Sequence, residues 1–240
     1  MRLAILETGR PPDAIAAQFP DYPAMFRALL GPAAPELRFH SVALVDGAPP
    51  PRMADFDAAL ITGSPIGVYD DAPWLADLRA FIRAAGAARK PLVGVCFGHQ
   101  IIADAFGGVV RKSERGWSVG RHRYAVVQPT PWMLPAADGF AVAASHQDQV
   151  ETPPPGGVTI AASSFTPHAA LAYRDAPAIS FQGHPEMDDA FASALYASRR
   201  ERIGEALIEA ALASLAVPSD ASLVAGWIAT FLRAPDRALG

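Results

Sequence analysis

Cysteine is nearly missing from this chain: one stands in 240 residues, at position 96. A single thiol cannot form an intrachain disulfide, which excludes the stapled framework of a small secreted domain. Charge is sparse too, with 18% charged residues and a formal net charge of -4. No Lys/Arg run is long enough to track a phosphate backbone, so nucleic acid is not an expected partner. The densest group, Arg199, Arg200 and Arg202, is interrupted by Glu201 and reads as a solvated helix face. No apolar run reaches the roughly 20 residues that a membrane span needs. The opening Met-Arg-Leu-Ala-Ile-Leu-Glu meets charge too early for a signal-peptide core. The expected location is the cytoplasm, with no membrane partner. Six histidines and one cysteine show no zinc-ligand spacing, and no Gly-rich phosphate loop is present, so neither a metal nor a cofactor is expected.

What is present is apolar patterning, at 51% hydrophobic composition, enough for a sizeable core. Short apolar runs at Leu3–Leu6, Leu37–Leu44, Ala58–Ile61 and Pro91–Val95 read as buried strands. Helical spacing falls between them, around Ala24–Leu30, over Trp74–Ala85, and over Phe97–Phe106 before Gly107-Gly108. Strand alternating with helix predicts an α/β domain with a mainly parallel sheet and helices on both faces. Further along, Val109–Val127, Phe140–Ala144, Val158–Ala162, Ala169–Tyr173 and Ala178–Phe181 read as short strands, antiparallel additions and a return to the sheet. From Asp188 the pattern is helical, with a break near Val217-Pro218-Ser219.

The cysteine lies in Gly94-Val95-Cys96-Phe97-Gly98, between an apolar strand and a helix. Alone, a cysteine is ordinarily a small buried hydrophobe. Between two glycines at a strand-to-helix turn, it has the setting of a nucleophile elbow with sulfur in place of oxygen. The helix N-terminus there would favour thiolate. A thiol nucleophile needs a base, and the base an orienting acceptor. Gly183-His184-Pro185-Glu186 supplies both types directly after the strand Ala178–Phe181. Ligands bind at the carboxyl ends of strands in open α/β sheets, where both segments fall.

These two segments, extended by His99-Gln100 and joined by the turn Thr62-Gly63-Ser64-Pro65, resemble the class I (triad type) glutamine amidotransferase domain, and in particular stand-alone members related to the glutaminase domain of GMP synthase. The resemblance covers roughly residues 1–200; residues 201–240 would form a helical C-terminal extension packed on the same domain. It implies a three-layer, flavodoxin-like fold. It implies Cys96 as nucleophile, His184 as general base and acid, and Glu186 as orienting carboxylate. An oxyanion hole would come from the backbone N–H groups of Phe97 and of Gly63-Ser64, where many relatives have Gly-Gly-Pro. Gln100 and the Ser145-His146-Gln147-Asp148 segment match substrate-binding positions. His146 reads better as a structural histidine than a catalytic one. Tyr69, Asp70, Asp71 and Trp74 either line the mouth or cap a helix.

Three functions remain open on this reading. One is a glutaminase or amidotransferase subunit that passes ammonia to a separate synthetase. Another is a stand-alone γ-glutamyl peptidase or hydrolase acting on glutathione-like substrates. The third is a non-catalytic binding or regulatory protein on the same scaffold. The small-molecule substrate is glutamine or another γ-glutamyl compound in the first two, and the oligomeric state is not legible.

Overall fold

The computed structural model describes residues 1–235. Its central sheet contains five parallel strands: β1 (Arg2–Glu7), β2 (Arg38–Ala43), β3 (Ala58–Ile61), β4 (Leu92–Val95) and β11 (Ala178–Phe181). Antiparallel strands extend it: β6 (Ser118–Val126), β7 (Gly139–His146), β9 (Gly157–Ala162) and β10 (Ala170–Tyr173). The spatial order is β2-β1-β3-β4-β11-β10-β9-β6-β7, and β5 (Val109–Lys112) pairs separately with β8 (Asp148–Thr152).

Alternation along the strands builds the layers, because successive side chains point to opposite faces. Leu3, Ile5, Leu60 and Val93 pack on one face with residues of α2 (Tyr22–Leu30) and α8 (Ala221–Arg233). Ala4, Leu6, Ile61 and Leu92 pack on the other with α3 (Leu75–Ala87) and α4 (Phe97–Ala105). The fold is therefore three-layered, as expected. Trp227 and Phe231 of α8 join Trp132, Phe140 and Phe181 in an aromatic cluster. Two further helices, α5 (Asp189–Ser198) and α7 (Glu205–Ser214), share a third cluster with α1 (Asp13–Ala16) and Met187. A short α6 (Arg200–Ile203) links α5 to α7 and ends at Gly204, whose φ of 103° is open to glycine.

The predicted strand over Val109–Val127 divides at residues 113–117 into β5 and β6. Strand β8 follows the Ser145–Asp148 segment and was not expected; Gln149-Val150-Glu151 alternates too briefly to stand out. The helical tail breaks at Gly204 as well as near Pro218, and residues 236–240 of the expected extension lie outside the described residues. Asp70 does not cap α3: its carboxylate accepts the Gly67 N–H at 2.8 Å, closing a turn before the helix, and the residue preceding α3 is Trp74, with no side-chain cap. Edge strand β7 is covered by Asp220, whose Oδ2 accepts the Ala141 N–H at 2.7 Å while its own N–H donates to the Ala141 carbonyl. That pairing and the bridge from Ala143 to His184 take up part of the open ladder on this edge.

Candidate active site

Cys96 occupies the single residue between β4 and α4, with φ 54° and ψ -104°. For a residue with a Cβ this is sparsely populated backbone, strained by roughly 1–3 kcal/mol. The turn is tight because its glycines allow contact. A Cβ on Gly94 would lie 2.4 Å from the Gly98 carbonyl oxygen, and one on Gly98 would lie 2.2 Å from that of Ile61. The Cys96 N–H is spent on the Phe181 carbonyl at 2.8 Å, which pins the elbow to β11.

Strand β11 also delivers the histidine. After Phe181 the chain crosses toward β7, where the His184 N–H donates to the Ala143 carbonyl at 2.8 Å. The His184 Nδ1–H donates to Glu186 Oε1 at 2.7 Å, and the ring lies close enough to Cys96 to feel its sulfur. All three groups are buried. Burial alone would lower the His184 pKa; the Glu186 carboxylate and the Cys96 sulfur outweigh it and push the ring up to about 10. Cys96 and His184, 88 positions apart in the chain, are thus brought side by side at the carboxyl ends of β4 and β11.

The turn after β3 borders the pair: a Cβ on Gly63 would lie 3.2 Å from His184 Cε1 and 3.8 Å from Cys96 Cβ. Its shape is held by buried hydroxyls. Thr8 N–H donates to Thr62 Oγ1 at 3.0 Å, and Thr8 Oγ1 lies within 3.1 Å of the Thr62 and Gly63 carbonyls. Ser64, in place of glycine, donates through Oγ to the Thr8 carbonyl at 2.6 Å. The N–H groups of Gly63, Ser64 and Phe97 have no acceptor among the described residues. Thr8→Val would remove the hydroxyl's bonds to the Thr62 and Gly63 carbonyls, which keep the Gly98 N–H and Thr62 Oγ1 as donors. It is expected to cost about 0.5–1.5 kcal/mol of stability. The displaced turn should also lower kcat about tenfold or more with little change in KM. Urea unfolding and steady-state kinetics on the variant check this, and an unchanged kcat would remove Thr8 from any positioning role.

A cavity of about 200 Å³ opens at Cys96, lined by Gln100, Ser145, His146, Gln147 and Asp148. All four expected substrate-binding residues thus gather there, although Gln100 is partly committed: its amide N–H groups reach the Asp148 carbonyl at 2.8 Å and Gln182 Oε1 at 3.2 Å. Burial raises the Asp148 pKa, against the opposing hydrogen bond from the Tyr69 hydroxyl at 2.9 Å. A second cavity of about 420 Å³ lies on the His184 side and shares Cys96, Ser64 and Ser145 with the first.

Sequence reading missed Arg199, Arg202 and Trp117. Arg199 is half-buried and donates to Ser145 Oγ at 2.6 Å, and both guanidinium groups line the two cavities. The solvated-face reading holds for Arg200, which pairs with Glu205 and Glu209. It fails for Arg199, because α5 ends there and turns the side chain back over β7. Nothing in the local pattern signals such a reversal.

His146 donates from Nδ1 to the Asp148 carbonyl at 3.1 Å, and burial holds its pKa down at about 3. His99, beside Ser180 at 2.8 Å, is held at about 3 by the same cause. Both rings fold uncharged, whereas unfolding returns them to an ordinary value of 6.5. The unfolded chain then binds more protons between those values, so stability falls as pH drops from about 6.5 toward 3. His184 has the opposite sign: its folded value is raised, so its contribution is complete below 6.5 and disappears as pH rises toward 10. Urea midpoints across pH are expected to decline on both sides. In His99→Asn the slope between pH 6.5 and 5 should shrink by about one proton; an unaltered slope would contradict the assignment.

No helix among the described residues is long and apolar enough to cross a membrane, and no group of three or more His, Cys, Asp or Glu residues that could hold a metal ion is found among them. Comparison with known proteins gives the site its context. Glutamine-hydrolyzing GMP synthase of Thermus thermophilus is 33% identical over 174 residues, covering 70% of this chain and 32% of that enzyme. The chain thus spans about a third of that synthase's length. A glutamine amidotransferase-like protein of Schizosaccharomyces pombe is 31% identical over 192 residues, 76% of this chain and 75% of the relative. The crystal structure of a glutamine amidotransferase from Thermotoga maritima superposes with a TM-score of 0.77 at 15% identity, covering 98% of each chain, which shows a shared fold. Residues 41–193 match the family model described as glutamine amidotransferase class-I, and the chain belongs to that family.

Proposed function

We propose that this protein hydrolyses the side-chain amide of glutamine, or a related γ-glutamyl amide, through Cys96, His184 and Glu186. The observation that carries the reading is the strained Cys96 held against a histidine whose far side is fixed by a carboxylate at 2.7 Å. Cys96 thiolate attacks the amide carbon. The oxyanion that forms is received by the N–H groups of Phe97 and of the Gly63-Ser64 turn; one such donor is typically worth about 3 kcal/mol. His184 gives its proton to the departing nitrogen, because an amide anion is a poor leaving group. The C–N bond breaks, ammonia leaves, and a γ-glutamyl thioester remains on Cys96. Water, deprotonated by His184, attacks the thioester; glutamate departs and the thiol is restored. Glu186 keeps the imidazole in the tautomer that presents its other nitrogen to sulfur.

In this role Gln100 and the Ser145–Asp148 segment would hold the γ-glutamyl half in the smaller cavity. The released ammonia could serve a separate synthetase, as the similarity to GMP synthase suggests; residues 201–235 would be an extension packed on the catalytic domain. The test is ammonia release from glutamine by the purified protein, alone and with cell extract, together with labelling by a glutamine-mimicking electrophile. Modification at Cys96 is expected. Absence of both turnover and labelling would favour a binding or regulatory role.

A further inference from the structure

Of the two cavities that meet at Cys96, only the larger, of about 420 Å³, is bordered by His184. Under the proposed reaction His184 protonates the nitrogen that leaves and later deprotonates the water that attacks, so both pass through that space. Water takes about 30 Å³ in the liquid and is held in a cavity by roughly two to four polar partners. A space this large leaves it unplaced unless the wall supplies them. Most of the wall does not. Met187 and Leu195 are apolar. Ser64 Oγ is spent on the Thr8 carbonyl at 2.6 Å, Ser198 Oγ donates to the Leu195 carbonyl at 2.8 Å, and Ser145 Oγ accepts from Arg199 at 2.6 Å. Arg10 and Asp13 are exposed, and Arg10 is paired with Asp46 and Glu7. Arg199 and Arg202 border both cavities and lie over the Trp117 ring, 5.8 Å and 4.8 Å from its centre. Tyr22 differs. It is 6% exposed and lines this cavity, yet its hydroxyl has no hydrogen-bond partner among the described residues. Local sequence fixes its place: Asp21 caps α2 by accepting the Ala24 N–H at 2.7 Å, Pro23 follows, and the ring packs edge-on against Phe191 at 6.2 Å. Burial raises its pKa, and Glu186 and Cys96 add to the rise against Arg199, so the phenol stays protonated and lies close to the reacting pair.

We infer that Tyr22 is a further catalytic residue, whose hydroxyl holds the water that hydrolyses the γ-glutamyl thioester. The inference rests on the Cys96 chemistry proposed above. Once ammonia has left, the place of the nitrogen is open to water. Tyr22 Oη accepts a hydrogen bond from one O–H of that water, and the His184 nitrogen not bonded to Glu186 takes the other proton. The water oxygen forms its bond to the thioester carbon, the C–S bond breaks, the proton on His184 passes to the sulfur, and glutamate departs. Acylation needs no such help, because the attacking sulfur is already fixed at the elbow. Tyr22 therefore separates the two half-reactions: it serves the second and leaves the first to Cys96 and His184.

The experiment uses Tyr22→Phe, which removes one oxygen and leaves the ring on Phe191. Acid quench at saturating glutamine, followed by mass spectrometry, gives the fraction of Cys96 that carries the γ-glutamyl group. Dividing kcat by that fraction gives the rate of thioester hydrolysis, whichever half-reaction is slower. In the variant that rate should fall about tenfold, the usual worth of one hydrogen bond to a positioned reactant, and the acylated fraction should rise. Acylation should be unchanged, read as kcat/KM and as the rate at which a glutamine-mimicking electrophile modifies Cys96. Thioester hydrolysis as fast as in the intact protein overturns the inference. So does a parallel fall in hydrolysis, kcat/KM and labelling, which would make Tyr22 a packing residue beneath the site. Failure of the parent reading looks different: the intact protein would then neither release ammonia from glutamine nor be labelled at Cys96, and the role of Tyr22 would go with it.

Discussion

Replacing Cys96 by alanine is expected to abolish glutamine hydrolysis, by at least about a thousandfold, while leaving the fold intact. No other side chain at the site can form the thioester, and residual hydrolysis would depend on unaided water. Serine should fare little better, because a hydroxyl beside His184 is far less acidic than a thiol. The backbone adds a second, opposite effect. Cys96 sits at φ 54°, where a Cβ is strained and glycine is not. Cys96→Gly is therefore expected to unfold at a higher urea concentration than Cys96→Ala, by roughly 1 kcal/mol. Ammonia release and urea titration of the three variants read both effects. Glutamine turnover that survives in the alanine variant would end the nucleophile assignment. A glycine variant no more stable than alanine would show that the elbow stores no strain.

Gly98→Ala is expected to damage fold and activity together. The added Cβ would stand 2.2 Å from the Ile61 carbonyl oxygen, and backbone on both sides leaves no flexible side chain to yield. Either α4 retreats from β3 or β3 bends, at about 1–3 kcal/mol or more. Both routes stretch the bond from the Gly98 N–H to the Thr62 carbonyl, 3.1 Å in length, which ties α4 to the turn after β3. That bond joins the residue after Phe97 to the residue before Gly63-Ser64, so the proposed oxyanion site opens with it. Losses of about a hundredfold in kcat accompany displacements near 1 Å in such sites. The expected variant is soluble, destabilised, and still alkylated at Cys96, but nearly inactive. Full activity would mean that these donors take no part in the chemistry.

Much of the site was legible from residue order. Gly94 and Gly98 announced a close approach of backbone, and the strand-to-helix change at Cys96 announced the elbow. His184 could be picked from six histidines because Glu186 follows on the same strand end. Arg199 and Trp117 were not legible, since their meeting depends on where α5 stops and how the segment between β5 and β6 folds over it. Thr8 was equally silent: a threonine after an apolar strand has many uses, and only the parallel pairing of β1 with β3 puts it against Thr62.

Sequence by itself determined the alternation of strand and helix, the turn at Cys96 and the chemical types of the proposed nucleophile, base and orienting acid. These follow from local rules, because hydrophobic period, glycine placement and strand ends are properties of neighbouring residues. Tertiary structure alone decided the two cavities at Cys96, the arginines Arg199 and Arg202 that border both of them and the hydroxyl network beneath the turn. Each of these joins segments far apart in the chain, and such contacts are set by packing of the whole sheet and its helices, which no short window of residues encodes.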